Sequence, residues 1–221
     1  STWQSIYKMP EKYFEQFGCV IGDEAHMFKA KSLTGIMTKL HQCKYRFGLT
    51  GTLDGTQTHQ LVLEGLFGSV ENIVTTKELI DKKTLADLKI KCIVLKHPPI
   101  REKMTYVEEI EYLVTNSARN QFIVDLCRNI SGNTLCLFQL VEKHGKILYD
   151  GMKGSENVYF VYGGTDTSQR EKIRTLVEGH SSSTIVASFG VFSTGINIRN
   201  INNIVLASPS KSKIRVLQSI G

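Results

Sequence analysis

The sequence predicts an α/β protein of two lobes, each built on a parallel sheet, and three observations carry that expectation. Compact apolar runs rich in β-branched and small residues, at 17–22, 133–138 and 183–188, read as strands buried on both faces. Stretches with apolar residues at helical spacing alternate with them, as at Leu33, Ile36, Met37 and Leu40. A charged middle stretch broken by Pro98-Pro99 separates the halves. The organisation expected is a first lobe over 1–80, a connector over 81–116 and a second lobe over 117–221.

Composition narrows the class. With 221 residues and 41% hydrophobic, the chain can bury a substantial core. Net charge is +6 and the sequence pI about 9.0, compatible with a polyanionic partner but not specific for one. The five cysteines, Cys19, Cys43, Cys92, Cys127 and Cys136, are scattered without any Cys-x-x-Cys pair. Neither a disulfide framework nor a zinc site is expected, and a reducing cytoplasm fits. No apolar run approaches the roughly 18 residues of a membrane span, so no membrane partner is expected. The chain begins at Ser1 and stops in mid-pattern at Gly221, which reads as a fragment.

Taken in order, Thr2-Trp3-Gln4-Ser5 offers hydroxyl and amide groups that suit phosphate contacts, or simply a helix N-cap. The strand at 17–22 ends in Asp23-Glu24-Ala25-His26, and a helix follows at 29–41. The strand at 44–49 runs into Thr50-Gly51-Thr52 and a turn at Leu53-Asp54-Gly55, then a helix at 59–66 and a strand at 70–75. The connector carries a strand at 88–95 and a helix at 105–115. The second lobe opens with a helix at 116–130. Strands at 133–138, 158–162, 183–188 and 203–207 then alternate with helices at 142–152, 167–178 and 211–220, with Asp166 as an N-cap.

The acidic tetrad is the strongest chemical signal. In open α/β sheets ligands bind just beyond the carboxyl ends of the strands, where Asp23 and Glu24 fall. Adjacent carboxylates there suit a magnesium-nucleotide, one anchoring the metal and the other orienting and deprotonating water. The competing reading is an acidic, solvated helix start. In the second lobe, Gly163-Gly164 followed by Arg170 permits close approach to phosphates, or is a strand-to-helix turn with a solvated arginine.

Asp23-Glu24-Ala25-His26 resembles motif II of superfamily 2 helicases, and Phe47-Gly48-Leu49-Thr50-Gly51-Thr52 resembles their motif III. Thr134 to Phe138 is similar to motif IV and Gly163 to Arg170 to motif IVa. Gly190 to Asn197 is similar to motif V, and Lys211 to Gly221 to the approach to motif VI. The likeness runs along essentially the whole chain and is greatest to helicases of bacteriophage recombination and repair.

The resemblance implies two RecA-like lobes, the first incomplete, with ATP and magnesium as cofactors. It implies that Asp23 holds magnesium through water and Glu24 is the general base, and that His26, Thr50, Gly51 and Thr52 couple hydrolysis to lobe movement. It places Gly195, Asn197 and Gln218 at the nucleotide, and Thr2, Gln4, Gly164, Arg170 and Thr194 on nucleic acid. Many relatives carry aspartate where Asn197 stands, so this position lacks a charge. No Gly-x-x-x-x-Gly-Lys-Ser/Thr phosphate loop occurs, and the motif VI arginines are absent, so 1–221 alone is expected to be inactive.

The parent expected is an ATP-dependent DNA helicase or translocase in recombination, replication-fork remodelling or repair. It would act on single-stranded or branched DNA in the cytoplasm of a phage-infected bacterium. The alternatives are an RNA helicase, a restriction-type double-stranded-DNA translocase, or a non-catalytic nucleic-acid-binding or annealing module.

Overall fold

The computed structural model describes residues 2–53, 57–96, 103–192 and 198–220. The chain divides into two compact units, Ser1–Lys89 and Ile90–Gly221. The division falls within the expected connector, whose Pro98-Pro99 break lies outside the described residues.

In the first unit two short helices, α1 (Trp3–Ile6) and α2 (Glu11–Phe14), precede strand β1 (Cys19–Gly22). A 3-10 turn (Ala25–Lys29), α3 (Lys31–Lys39), β2 (Tyr45–Gly48), α4 (Gln57–Phe67) and α5 (Thr76–Asp81) follow. Strands β1 and β2 pair in parallel from Cys19↔Tyr45 to Gly22↔Gly48. Leu33, Ile36 and Met37 form the buried stripe of α3, packed with Phe14, Leu40, Cys43 and Leu63, and Val20 of β1 lies against them. The opposite face of the two strands is bare: Ile21 is 64% and Phe47 53% exposed. The expectation that β1 is buried on both faces is therefore corrected, because helices cover only one side of it.

The second unit contains α6 (Tyr106–Thr115), α7 (Ser117–Asn129), β3 (Asn133–Phe138) and a π-helical turn (Val141–Gly145). It continues through α8 (Lys146–Met152), β4 (Val158–Val161), α9 (Thr167–Gly179), β5 (Thr184–Ser188), α10 (Phe189–Phe192), β6 (Ile201–Leu206) and α11 (Lys213–Ile220). The four strands lie in the order β4-β5-β3-β6, with every pairing parallel. Strand β3 is buried at all six positions. Its Cys136 and Phe138 face Ile123, Val124 and Cys127 of α7 and Leu148 and Met152 of α8. Its Leu135 and Leu137 face Ile173 and Val177 of α9. Helices on both faces make this a doubly wound sheet, whose central strand reads as continuous apolar sequence.

Two expected strands are absent as such. Residues 70–75 and 88–95 are not in a sheet among the described residues, and Ile73, Ile90 and Val94 are 88%, 81% and 82% exposed. Apolar alternation favours extended backbone, but a strand also requires a neighbour for its N–H and C=O groups. Asp166 does stand at the N-cap of α9, with extended backbone, but its side chain makes no capping hydrogen bond. Reciprocal Thr-x-x-Glu capping boxes start α5 (Thr75, Glu78) and α6 (Thr105, Glu108), and Asn116 caps α7.

Candidate functional site

The parallel pairing of β1 and β2 brings two loops together at one edge, because both strands end at the same register position, Gly22 opposite Gly48. Phe28 and Phe67 meet edge to face beneath them, with ring centroids 5.0 Å apart. A Cβ on Gly22 would stand 2.9 Å from both rings, and one on Gly48 3.0 Å from Phe67. Glycine at these two positions is thus what lets the strand ends close over the aromatic pair. The Leu49 N–H donates to the Gly22 carbonyl and the Ala25 N–H to the Leu49 carbonyl, both at 2.8 Å, lacing the loops together.

The acidic residues sit on this laced edge. Glu24 adopts a left-handed conformation (φ 49°, ψ 49°), costing about 1–2 kcal/mol for a residue with a Cβ. The Glu24 N–H donates to Asp23 Oδ1 at 2.9 Å, and both carboxylates are exposed. His26, only 3% exposed, lies with Nδ1 3.2 Å from Glu24 Oε2 and 3.0 Å from Thr50 Oγ1. The Thr50 hydroxyl donates to the Thr52 carbonyl at 3.0 Å and accepts the Thr52 N–H at 3.2 Å. Its one proton is committed to that carbonyl, so His26 Nδ1 is the donor to Thr50 and carries a hydrogen. A continuous path Glu24–His26–Thr50–Thr52 results. The structure therefore brings together Asp23, Glu24, His26, Thr50 and Thr52, with Gly51 in the turn between the two threonines.

This arrangement can do two things chemically. Two exposed carboxylates supply hard oxygen donors of the kind magnesium takes alongside water and phosphate oxygens. The group of three or more His, Cys, Asp or Glu side chains that an all-protein metal cage requires does not occur among the described residues. The buried imidazole, in turn, joins the Glu24 carboxylate to the loop after β2 through its Nδ1 contacts.

Other expected site residues fall differently. Arg170 is committed to its own loop, its Nε donating to the Thr165 carbonyl at 2.8 Å and its Nη2 to that of Gly163 at 3.0 Å. Gly164 is exposed, and a Cβ there would stand 2.7 Å from the outer edge of the half-buried Tyr162 ring. The Thr2 hydroxyl lies 2.9 Å from that of Ser5, exposed, and makes no cap bond to α1; Gln4 is also exposed. Thr194, Gly195 and Asn197, with the rest of 193–197, lie outside the described residues, as does the side chain of Gln218.

One polar cluster carries no motif. His144 is wholly buried in the π-helical turn, with Nε2 3.1 Å from Asn120 Oδ1 and Nδ1 2.8 Å from Ser208 Oγ. The amide oxygen can only accept, so Nε2 carries the hydrogen and Ser208 donates to Nδ1. Burial, and secondarily the Arg119 charge, push the His144 pKa down to about 4. Ser208 Oγ also accepts the Gln139 N–H at 3.1 Å, and Arg119 Nη2 donates to the Ala207 carbonyl at 2.5 Å. The cluster thereby fixes α7 and the ends of β3 and β6 to one another.

The comparisons with known proteins bear on both units. A family described as the helicase conserved C-terminal domain matches residues 117–221. From Ser117 onward the second unit is thus similar to a helicase C-terminal domain. The ATP-dependent DNA helicase uvsW of Enterobacteria phage T4 is 38% identical over 229 aligned residues, covering 100% of this chain and 45% of that relative. The likeness therefore includes the acidic edge of the first unit as well as the helicase domain. A solved structure of T4 UvsW matches with TM-score 0.49 and 34% identity, covering 99% of this chain and 44% of the other. The chain thus spans less than half the length of the curated relative it matches.

Proposed function

We propose that this chain is part of an ATP-dependent DNA helicase that couples ATP hydrolysis to movement on nucleic acid in recombination, fork remodelling or repair. The observation that carries the reading is the Glu24–His26–Thr50 connection across the ends of β1 and β2. It links a water-activating carboxylate to a neighbouring loop, as a motor requires. The 38% identity to a phage DNA helicase, running through both units, supports the same reading.

In this mechanism Asp23 would hold magnesium through water, and the metal would supply neutralisation of charge developing on the phosphates. Glu24, held outward by its left-handed backbone, orients the attacking water and takes its proton. His26 donates its Nδ1 hydrogen toward the Glu24 carboxylate and Thr50 together, so a change in charge at Glu24 alters the bond to the 50–52 loop. Thr2 and Gln4 contribute contacts to nucleic acid, and Thr194 and Gly195 grip the strand. Gly195, Asn197 and Gln218 serve the nucleotide side. Gly164 and Arg170 contribute to nucleic-acid binding from the 163–170 loop, which the Arg170 guanidinium holds in shape. The favoured substrate is single-stranded or branched DNA in the cytoplasm of an infected bacterium.

The test is displacement of a labelled strand from forked DNA by the whole protein. ATP-dependent displacement is expected, together with DNA-stimulated ATP hydrolysis. DNA binding without ATP-dependent displacement or translocation would contradict the motor and favour an annealing module.

A further inference from the structure

Outside the hydrogen-bonded path, one side chain of α4 touches both halves of the acidic edge. This helix follows the 50–55 turn in the chain and packs back on the 3-10 turn at Ala25–Lys29 and on β2. His59, Leu63 and Phe67 stand four residues apart along it and so share one face. His59 and Leu63 are buried, and Leu63 belongs to the core formed with Phe14, Ile36 and Met37. Phe67 ends this stripe, half-buried, and Gly68 closes the helix with φ 99°, which glycine adopts without strain.

The Phe67 ring lies against both strand ends at once. A Cβ on Gly22 would meet its Cζ at 2.9 Å, and one on Gly48 its Cγ and Cδ2 at 3.0 Å. Gly22 immediately precedes Asp23, and Gly48 stands two residues before Thr50. The outer end of one ring therefore supports the acidic loop, and its inner end supports the threonine loop. Phe28 reaches the same Gly22 position at 2.9 Å, whereas the further neighbour at Gly48 is the Ala25 Cβ at 3.1 Å. The two hydrogen bonds through Leu49 fix the loops to each other. The ring fixes both of them against α4.

We propose that Phe67 is a positioning residue for ATP hydrolysis: its ring sets how closely the loops at 23–26 and 49–52 settle onto α4, and hence where the Glu24 carboxylate stands. The proposal rests on the reading of the chain as an ATP-driven motor and adds a residue that lies outside every motif-like stretch of the sequence. A reacting group must be held within about 0.5 Å of its productive place. A misplacement of about 1 Å, caused from a distance, can cost about a hundredfold in rate. A ring that touches the backbone one residue before Asp23 is close enough to exert that control.

The test compares variants of the whole protein in DNA-stimulated ATP hydrolysis, each assayed well below its own melting temperature. Phe67→Leu keeps an atom at Cγ, against Gly48, and removes the ring atoms beyond it, under Gly22. It is expected to lower kcat about 10- to 100-fold with KM for ATP within about twofold, because binding is spread over many contacts while the chemistry depends on one carboxylate. Gly48→Ala is expected to lower kcat when Phe67 is present. In a Phe67→Ala background the same change is expected to raise kcat, since the added methyl enters space the ring has left. A lowered melting temperature with kcat within about twofold of the parent, or a loss of kcat/KM carried by KM, would overturn the positioning role and leave the motor standing. So would Gly48→Ala acting in the same direction in both backgrounds. If Phe67→Ala does not fold, the Phe67→Leu result decides alone. A parent protein that hydrolyses no ATP in the presence of DNA would overturn both.

Discussion

At the scale of the residue, the chemistry is concentrated in groups whose hydrogen bonds leave little freedom. His26 is held between an exposed carboxylate and a hydroxyl whose own proton is already committed. Thr50→Val removes the acceptor for His26 and the donor to Thr52 without a large change in volume. Strand displacement per ATP hydrolysed is expected to fall several-fold while DNA-free ATP hydrolysis changes by less than that factor, since each neutral hydrogen bond lost is worth about 0.5–1.5 kcal/mol. Equal losses in the two assays would show that Thr50 serves the chemistry rather than the coupling.

Arg170 makes a separate prediction. Its guanidinium clasps carbonyls 163 and 165, a forked geometry that lysine lacks. Arg170→Lys is expected to lower the melting temperature of the second unit as Arg170→Ala does; if only its charge on phosphate mattered, lysine would restore affinity. Asp23, Glu24 and His26 were legible because they are consecutive and follow an apolar run. The His144 cluster was not, because its partners lie 24 and 64 residues away and no spacing announces them.

His144 also sets a pH dependence. Its folded pKa of about 4 lies below the ordinary 6.5, so the unfolded chain takes up a proton first as pH falls. The stability it contributes is full above pH 6.5 and is lost progressively between about 6.5 and 4, amounting to about 3 kcal/mol. Denaturant unfolding followed across that window is expected to show this loss, and His144→Gln to flatten it.

At the scale of the element, the two units differ in how their strands are covered. Strand β3 is flanked by β5 and β6 and packed on both faces, whereas β1 and β2 form a two-stranded sheet with one face bare. Isolated two-stranded sheets are marginal in water. Hydrogen exchange on 1–221 is therefore expected to be slow at 134–138 and 184–188 and faster by orders of magnitude at 19–22 and 45–48. Equal protection would mean that the first unit is stable without further cover. The strands of the second unit were legible because each is an apolar run bounded by turn residues. The stretches 70–75 and 88–95 are also rich in β-branched residues but have no sheet neighbour among the described residues, and a neighbour is a property of the fold rather than of the segment. The bare face of β1 is hidden in the sequence for the same reason, since Cys19, Ile21 and Phe47 have the composition of core residues whatever their surroundings.

At the scale of the whole molecule, the sequence likeness runs through both units, and the basic balance suits a phosphate backbone. Affinity for single-stranded DNA is expected to be indifferent to base order and to fall with salt, each neutralised phosphate adding about −0.7 to the log–log slope. Strong sequence selectivity or salt-independent binding would contradict a backbone track. If Glu24 beyond β1 is the water-activating base of an ATP-driven motor, Glu24→Gln in the whole protein must separate turnover from binding. DNA-stimulated ATP turnover is expected to drop by about two to four orders of magnitude while ATP binding, which depends on Asp23 and magnesium, is retained; turnover near the parent value, or equal loss of binding and turnover, would contradict it.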